Sequence, residues 1–303
     1  MNTPRTLSMW PANAAGLRIG FIGAGRLGQA LAWSLARAGL QVVAVSSMLE
    51  AHARALAAPI DGCLCMTPQS VVDACDLVFV TTPDSVIGAT CDSLNWRPGQ
   101  AVVHCSGVTD VEVLEHARAQ GAWIGGFHPM QTFGDPHAAA RSLPGCTITV
   151  EAAQSELMTC LLELVECLHC VANRLPAGMR GRYHAAAGYT SQFINALFDQ
   201  AVRLWQTWGA TEEEALRALL PLAQGTLSAI ESVGVARGMP GPVSRGDVSS
   251  IDKHLGAISP MGPEMLDFYR TLCTTTVGLA RQAGGIDNAQ AQQFMDRLQA
   301  AKH

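Results

Sequence analysis

The stretch Arg18-Ile-Gly-Phe-Ile-Gly-Ala-Gly-Arg-Leu-Gly28 decides the fold of the first half of the chain. Its apolar residues 19–22 predict a buried strand, which runs directly into the glycine pattern Gly23-x-Gly25-x-x-Gly28. The alanine-rich segment 29–39 predicts a helix, and residues 41–45 predict a second strand. A strand, a glycine turn, a helix and a further strand make up the unit that binds dinucleotides. The pattern therefore predicts a dinucleotide cofactor, and a scaffold of the same fold without a nucleotide is the alternative.

Each glycine of this turn has a predicted task. Gly23 permits the tight turn, Gly25 lets the backbone approach a pyrophosphate, and Gly28 lets the helix pack closely against the strand. The N-terminus of the helix offers unpaired N–H groups and a partial positive charge to the phosphates. The residues predicted to contact the cofactor here are Gly23, Ala24, Gly25, Arg26, Leu27 and Gly28.

Length and composition indicate a globular protein of about two domains, since 303 residues exceed the usual size of one domain. A hydrophobic fraction of 49% suffices for a sizeable core, and no apolar run is long enough to cross a bilayer. The net charge of −5, without a basic patch, argues against a nucleic-acid partner. We expect no membrane partner, a cytoplasmic location, and a disordered tail over residues 1–16 that is not a signal peptide.

The ten cysteines are irregularly spaced, which predicts reduced thiols rather than a disulfide framework. Cys63 and Cys65 fall in a predicted loop, and Cys167, His169 and Cys170 fall in a predicted helix. A zinc site needs about four ligands from converging elements, and neither cluster has a matching second set. We therefore predict no metal site.

Hydrophobic segments alternate with helical or loop segments through the first half, which predicts a doubly wound α/β domain with a parallel sheet. Further strands are predicted at residues 76–81, 100–105, 122–127 and 146–150. Ligands of such sheets bind at the carboxyl ends of the strands. The residues that follow strand ends and are predicted to face the ligand are Ser46, Ser47, Thr82, Pro83, Ser106, Gly107 and His128.

The end of the second strand discriminates between the two nicotinamide cofactors. An NAD site usually places Asp or Glu there, about 20 residues after the glycines, to bind the ribose 2′-hydroxyl. This chain has Ser46 and Ser47 instead, and their hydroxyls with nearby Arg26 can bond a 2′-phosphate that a carboxylate would repel. NADP(H) is therefore favoured over NAD(H). A solvated surface position for Arg26 is nearly as good an interpretation of that side chain.

Beyond residue 151 the sequence predicts helices alone. We therefore place a nucleotide-binding domain at residues 17–151 and a helical substrate and dimerisation domain at residues 152–303. One long helix is predicted over residues 179–208, and on a wheel of about 100° per residue it carries a polar arc beside an apolar stripe. The members of this polar arc are Arg180, His184, Gly188, Ser191 and Asn195. The arc predicts the wall of a ligand cleft or, as the alternative, a hydrogen-bonded contact between helices.

Reduction of a C=O or C=N bond by hydride needs a proton donor near the developing charge. Histidine suits this task because its pKa lies near neutrality, and His184 is the first candidate. His128, at the end of a predicted strand, is the second candidate, with a structural histidine as the alternative interpretation. Ser191 shares the polar arc with His184 and is a further candidate. Arg180 is always charged and is predicted to bind a carboxylate or to polarise a carbonyl. The side chains predicted to contact the substrate are Gln131, Gln192 and Asn195.

Several motifs together resemble one family. They are the glycine turn, the runs 43–47, 78–84, 103–107 and 128–133, and the segments Tyr183-His-Ala-Ala-Ala187 and Gly241-Pro-Val-Ser-Arg-Gly-Asp247. In order and spacing they resemble the Rossmann-like proteins that carry a C-terminal domain of unknown function, number 2520. The resemblance implies kinship with pyrroline-5-carboxylate reductase, ketopantoate reductase and the β-hydroxyacid dehydrogenases. It also implies an all-helical second domain of the 6-phosphogluconate-dehydrogenase-like type, which often builds a homodimer.

Two positions depart from the family pattern, which has lysine where this chain has Arg180 and Ser-Asn where it has Ser191-Gln192. Three functions therefore stay open. The first is an NADP(H)-dependent reductase of a small carboxylated keto acid or cyclic imine, bound in a cleft between the domains. The second is an NADP(H)-binding sensor or scaffold without turnover, which the two departures favour. The third is a deazaflavin-linked NADP oxidoreductase, since that family shares the N-terminal half.

Overall fold

The computed structural model describes Trp10 and residues 13–300. The chain forms two compact units, Met1–Ser191 and Gln192–His303. Most of the tail predicted at residues 1–16 lies outside the described residues. Its described part is ordered, because Ala14–Gly16 form a 3₁₀ helix and the Trp10 ring packs 4.9 Å from that of Trp123.

The first unit is built on one sheet. Its strands are β1 Arg18–Ile22, β2 Gln41–Ser46, β3 Leu64–Cys65, β4 Leu77–Val80, β5 Ala101–His104, β6 Trp123–Pro129, β7 Thr147–Ala152 and β8 Val171–Arg174. Over the described residues they form an eight-stranded sheet in the order β3-β2-β1-β4-β5-β6-β7-β8. Strands β1 to β6 pair in parallel, whereas β7 runs antiparallel to β6 and parallel to β8. The first six strands thus have the order of a doubly wound nucleotide-binding sheet.

Helices cover both faces of this sheet. The helices of the first unit are α1 Arg26–Arg37, α2 Glu50–Ala57, α3 Pro68–Ala74, α4 Ile87–Asp92, α5 Glu115–Ala119, α6 Pro136–Ser142, α7 Ser155–Cys167 and α8 Arg180–Tyr189. Consecutive residues of β4 enter different apolar clusters, because side chains alternate along a strand. Phe79 stacks on Phe21 in one cluster, whereas Val78 and Val80 lie in the other. The central strands are therefore buried on both sides, which explains their continuous apolar sequences.

Two predictions about strands are wrong. Strands do not end near residue 151, because β8 follows α7 and extends the sheet. Residues 64 and 65 form the short strand β3 rather than a loop. The first compact unit accordingly runs past residue 151, and the division into domains at residues 17–151 and 152–303 stays a prediction.

The single helix predicted over residues 179–208 is interrupted. Helix α8 ends at Tyr189, and the next helix, α9, begins at Gln192. The hydroxyls of Thr190 and Ser191 both donate to the carbonyl oxygen of Ala187, at 3.2 and 2.7 Å. Such local bonds compete with a continuing helical ladder. The residues of the predicted polar arc are therefore divided, with Arg180, His184 and Gly188 in α8 and Asn195 in α9 of the second unit.

The second unit, as far as residue 300, consists of helices and connecting turns. Its helices are α9 Gln192–Gln206, α10 Glu212–Val233, α11 Val248–Ile258, α12 Pro263–Gln282 and α13 Asn288–Ala300. Ile251, Val277 and Phe294 come from α11, α12 and α13 and meet in its apolar core. Within the part of the chain that the structure describes, none of the helices combines the length and apolar character required to span a bilayer.

Candidate functional site

The turn between β1 and α1 has the geometry predicted from its glycines. Gly23 has φ +106°, and a Cβ built on it would lie 2.6 Å from the backbone carbon of Thr81. A Cβ on Gly28 would lie 2.6 Å from the carbonyl oxygen of Gly23, so the helix packs directly on the turn. A Cβ on Gly25 would meet none of the described atoms within 4 Å. Gly25 is the N-cap of α1 and has no side chain that could accept a hydrogen bond from the first helical turn. The N–H groups of that turn are therefore left for a ligand.

The neighbouring strand ends add polar groups to this turn. The hydroxyl of Thr81 donates to the carbonyl oxygen of Gly23 at 2.6 Å. The hydroxyl of Thr82 is buried and has no hydrogen-bond partner among the described residues. A buried unpaired hydroxyl is costly unless a ligand or water satisfies it. The turn, with its open side and this unpaired hydroxyl, fits the phosphates of a dinucleotide.

Two of the predicted catalytic residues, His128 and His184, meet at Gly107. His128 lies near the end of β6, His184 lies in α8, and Gly107 follows β5 at the carboxyl edge of the parallel strands. A Cβ on Gly107 would lie 2.5 Å from Cδ2 of His184 and 2.8 Å from Nε2 of His128. The two imidazole centroids are 6.1 Å apart and their planes cross at 73°. The missing side chain at Gly107 thus makes room for both rings.

Arg180 lies behind this pair and is only 1% exposed. Its Nε donates to Oε2 of Glu151 at 2.8 Å, and its Nη1 donates to the carbonyl oxygen of Ser106 at 2.7 Å. A Cβ on Gly126 would overlap Nη2 of the guanidinium, and no described residue accepts a hydrogen bond from that nitrogen. Arg180 ties α8 to β7 and to the segment that follows β5. Its burial favours an anchoring role over direct contact with a substrate.

Burial also sets the charge of the histidines. Burial lowers the pKa of His128 to about 4, and the charges of His184 and Arg180 add to this effect. His104, at the end of β5, is wholly buried, and burial followed by the charge of Arg180 lowers its pKa to about 3. The Nδ1 of His104 accepts the backbone N–H of Ser106 at 3.2 Å. Both His104 and His128 are therefore uncharged at physiological pH.

The sequence did not single out Tyr183, Glu151 or Gly126. The hydroxyl of Tyr183 lies 2.7 Å from Nδ1 of His128. The position of Tyr183 directly before His184 was an available signal. The roles of Glu151 and Gly126 depend on contacts with a residue far along the chain, so no local pattern shows them.

The other predicted residues are not among the groups nearest to Gly107. Ser46 ends β2 and is buried, whereas Ser47 is partly exposed and Arg26 is exposed. The Gln131 amide donates to a backbone carbonyl of α6 at 3.2 Å. Ser191 follows the end of α8, and Gln192 with Asn195 belongs to the second unit. The roles assigned to these side chains stay predictions. Across Trp10 and residues 13–300, no group of three or more His, Cys, Asp or Glu side chains could hold a metal ion.

Two family models match the chain. One describes a Rossmann-like domain and matches residues 1–129, and the other describes a domain of unknown function, DUF2520, and matches residues 146–276. The chain is a Rossmann-like protein with a DUF2520 domain. This finding confirms the resemblance proposed from the motifs and, with the observed topology, the predicted fold class. A search of curated proteins found no match.

Solved structures share the architecture of this DUF2520 protein. A Bacteroides fragilis protein, provisionally named an NADP oxidoreductase, is 24% identical, with a TM-score of 0.70 over 88% of this chain and 100% of its own. The Aspergillus terreus reductive aminase, solved with NADPH and ethyl levulinate, is 18% identical, with a TM-score of 0.63 over 93% and 99%. The Plasmodium falciparum pyrroline carboxylate reductase, solved with NADP, is 11% identical, with a TM-score of 0.58 over 88% and 100%. At these identities the likeness shows the fold.

Proposed function

We propose that this DUF2520 protein is an NADP(H)-dependent oxidoreductase that reduces a C=O or C=N bond of a small carboxylated substrate, a keto acid or a cyclic imine. The observation that carries the proposal is the meeting of His128 and His184 at Gly107. This pair lies at the carboxyl edge of the same parallel strands whose first turn is open at Gly25, and that edge is where such sheets bind ligands. The NADPH and NADP named for two proteins of similar fold support the same class of cofactor.

The cofactor would be held by backbone and hydroxyl groups of the first unit. The N–H groups at the start of α1 suit the pyrophosphate. Ser47 and Arg26 are accessible for a 2′-phosphate, and neither Ser47 nor Met48 is a carboxylate that would repel it. When bound, the reduced nicotinamide supplies the hydride.

His184 is the proposed proton donor. It lies on the exposed side of α8, so solvent can replace a proton that it gives up. His128 beside it is uncharged and can donate one N–H bond to the oxygen or nitrogen of the reducible group. Arg180 supports the arrangement from behind by holding the carbonyl oxygen of Ser106 next to Gly107.

Binding and turnover test the proposal separately. Titration of the purified protein with NADPH and NADH should show tighter binding of NADPH, and equal or absent binding would contradict the cofactor assignment. A screen of keto acids, their esters and cyclic imines with NADPH should find at least one substrate, and the acid–ester pairs test the carboxylate requirement. His184→Ala should then remove most turnover, whereas His116→Ala on α5 serves as the matched histidine control. Unchanged turnover in His184→Ala would contradict the proton-donor assignment.

A further inference from the structure

Two of the cysteines meet at the start of neighbouring strands. Cys146 directly precedes β7, and Cys170 directly precedes β8. Their sulfur atoms are 3.9 Å apart, although 24 positions separate the two residues in the chain. Both are free thiols. The sequence groups Cys170 with Cys167 and His169, whereas the fold gives it Cys146 as a neighbour.

The backbone on either side holds the two cysteines next to each other. The N–H of Gly145 donates to the carbonyl oxygen of His169 at 2.8 Å, and the N–H of Val171 donates to that of Cys146 at 2.9 Å. Strands β7 and β8 then continue as a parallel pair. Neighbouring strands lie about 4.8 Å apart. This spacing falls within the range of about 4.4 to 6.8 Å between the Cα atoms of cysteines in a disulfide.

The pair is held by weak contacts and can be reached from solvent. The thiol of Cys170 donates to the carbonyl oxygen of Leu143 at 3.1 Å, and a thiol is a weak donor whose bond costs little to lose. The side chains of both cysteines are partly exposed, and Gly145, His169 and Val171 beside them are exposed. A small molecule that carries a disulfide can therefore approach either sulfur atom.

Partial burial makes both thiols weak acids. Burial raises the pKa of Cys146 to about 12, and burial also raises the pKa of Cys170. The thiolate is the form of cysteine that attacks a disulfide, so the exchange should be slow near neutral pH. A test of the pair therefore needs a mildly alkaline solution and a long incubation.

We propose that Cys146 and Cys170 form a reversible disulfide with each other when the protein meets a low-molecular-weight disulfide such as oxidised glutathione. The thiolate of one cysteine attacks the S–S bond of oxidised glutathione, which gives a mixed disulfide and releases one glutathione thiolate. The thiolate of the other cysteine then attacks the protein sulfur of the mixed disulfide and releases the second glutathione thiolate. The two protein thiols lose two electrons and two protons, and one oxidised glutathione becomes two glutathione thiols. The second step joins groups that the backbone already holds together, so it is favoured over attack by another molecule.

The disulfide would fasten an exposed strand to the rest of the sheet. Strand β8 is mostly exposed, and over the described residues β7 is the strand that pairs with it. A bond between the residues that precede these strands closes a loop over residues 146–170, which contains β7 and α7. Closure of this loop restricts the unfolded chain, so the oxidised protein should melt at a higher temperature than the reduced protein.

Mass spectrometry of the intact, folded protein after incubation with oxidised glutathione at about pH 8.5 tests the proposal. Acid stops the exchange, and an alkylating reagent blocks the remaining thiols before digestion. We expect the first cross-link to join the peptides of Cys146 and Cys170, and dithiothreitol should remove it. The exposed thiol of Cys65 shows whether the oxidant is active, because it should carry a mixed disulfide with glutathione. Absence of the cross-link while Cys65 is modified would overturn the proposal, as would a cross-link from Cys170 to Cys167.

Single serine variants identify the role of each thiol. Cys146→Ser removes the second thiol of the pair, so its Cys170 should keep a mixed disulfide with glutathione. Cys167→Ser is the matched control, because this partly exposed cysteine lies three positions from Cys170 and should leave the cross-link intact. If Cys146→Ser does not fold, Cys170→Ser carries the same test on Cys146.

The melting temperature gives a second and independent measurement. Oxidation should raise it by several degrees in the unmodified protein and in Cys167→Ser, and should leave it unchanged in Cys146→Ser. A lower melting temperature in the cross-linked protein would show that the bond distorts β7 and β8 and would contradict the fit of their backbones to a disulfide. These measurements use neither NADPH nor a substrate, so their outcome does not depend on the proposed function.

Discussion

At the scale of single residues, the buried position of the Arg180 guanidinium requires a glycine at position 126. The buried guanidinium is kept by its bonds to Glu151 and to the carbonyl oxygen of Ser106. A buried charge is tolerated only when it is paired, and removal of one partner leaves an uncompensated charge. The guanidinium lies directly over Gly126, because any side chain there would occupy the place of Nη2. The position of the Ser106 carbonyl, and with it the approach of both histidines to Gly107, therefore depends on a glycine in β6.

Gly126→Ala should displace the guanidinium and lower the free energy of unfolding by about 3 kcal/mol, as expected for a broken buried ion pair. Lysine has no atom equivalent to Nη2, so Gly126→Ala combined with Arg180→Lys should lose at least about 1 kcal/mol less than the sum of the single losses. Urea unfolding of the two single variants and the double variant measures this coupling. Gly181→Ala is the control, because its Cβ would meet no described atom within 4 Å. Strictly additive losses would contradict the dependence.

His104 and His128 should make the protein less stable in mild acid. Their folded pKa values of about 3 and about 4 lie below the 6.5 of an ordinary histidine. Between these values the unfolded chain binds more protons, so their contribution is complete above pH 6.5 and is lost as the pH falls toward the folded values. The slope for the wholly buried His104 approaches about 1.4 kcal/mol per pH unit, and that for the partly exposed His128 is smaller.

Urea unfolding between about pH 7 and pH 5 measures this slope. His104→Gln and His128→Gln should each flatten it, whatever their effect on stability at the upper end of the range. If the free energy of unfolding of both variants changes with pH as steeply as that of the unmodified protein, the two histidines do not cause the pH dependence.

At the scale of elements, the sequence predicts the strands that are buried on both faces, because the residues of such a strand are nearly all apolar. The strands β1, β4 and β5 are buried on both faces and read as continuous apolar runs. The edge strand β8 is mostly exposed and carries no such run, so it was missed. Helix α8 ends at Tyr189 and the next helix begins at Gln192, a break of two residues that the periodicity of the segment does not show.

In the candidate site, too, local sequence patterns identify some of the residues but not the contacts between them. Gly107, His128 and His184 were each found from local patterns, because each follows a strand end or lies on a polar helix face. The bond between His128 and Tyr183 joins residues 55 positions apart, and that between Arg180 and Ser106 joins residues 74 positions apart. Contacts at such separations are created by the sheet order, and the local sequence does not contain them.

In the glycine turn between β1 and α1, we expect Gly25 to matter for cofactor binding and Gly28 to matter for folding. A Cβ on Gly25 would meet no described atom within 4 Å, whereas a Cβ on Gly28 would collide with the turn. Gly25→Ala should therefore keep the melting temperature within a few degrees and weaken NADPH binding at least about tenfold, because the methyl group occupies the approach of the pyrophosphate. Gly28→Ala should lower the melting temperature itself. Unchanged NADPH affinity in a folded Gly25→Ala protein would show that the phosphates do not approach this residue.

At the scale of the whole molecule, α10 is the helix with an unusual surface. Leu220 and Leu227 are seven positions apart and lie on one side of it, whereas Leu222 lies on a nearly opposite side. These three side chains are exposed by 46%, 57% and 66%. A helix that is apolar on several sides is normally buried, and exposed apolar patches mark contacts with other chains. This surface supports the prediction of a homodimer formed through the helical region.

Light scattering on the eluting protein should therefore give twice the mass of one chain. Leu222→Glu combined with Leu227→Glu places two charges on α10 and should shift the protein to the mass of a single chain, because an unpaired charge is costly to bury in an interface. Arg217→Ala on the same helix is the control, since this exposed arginine only pairs with Glu213 one turn away, and it should leave the dimer intact. A single-chain mass for the unmodified protein would rule out the dimer. A dimer that persists in the double glutamate variant would place the interface away from this part of α10.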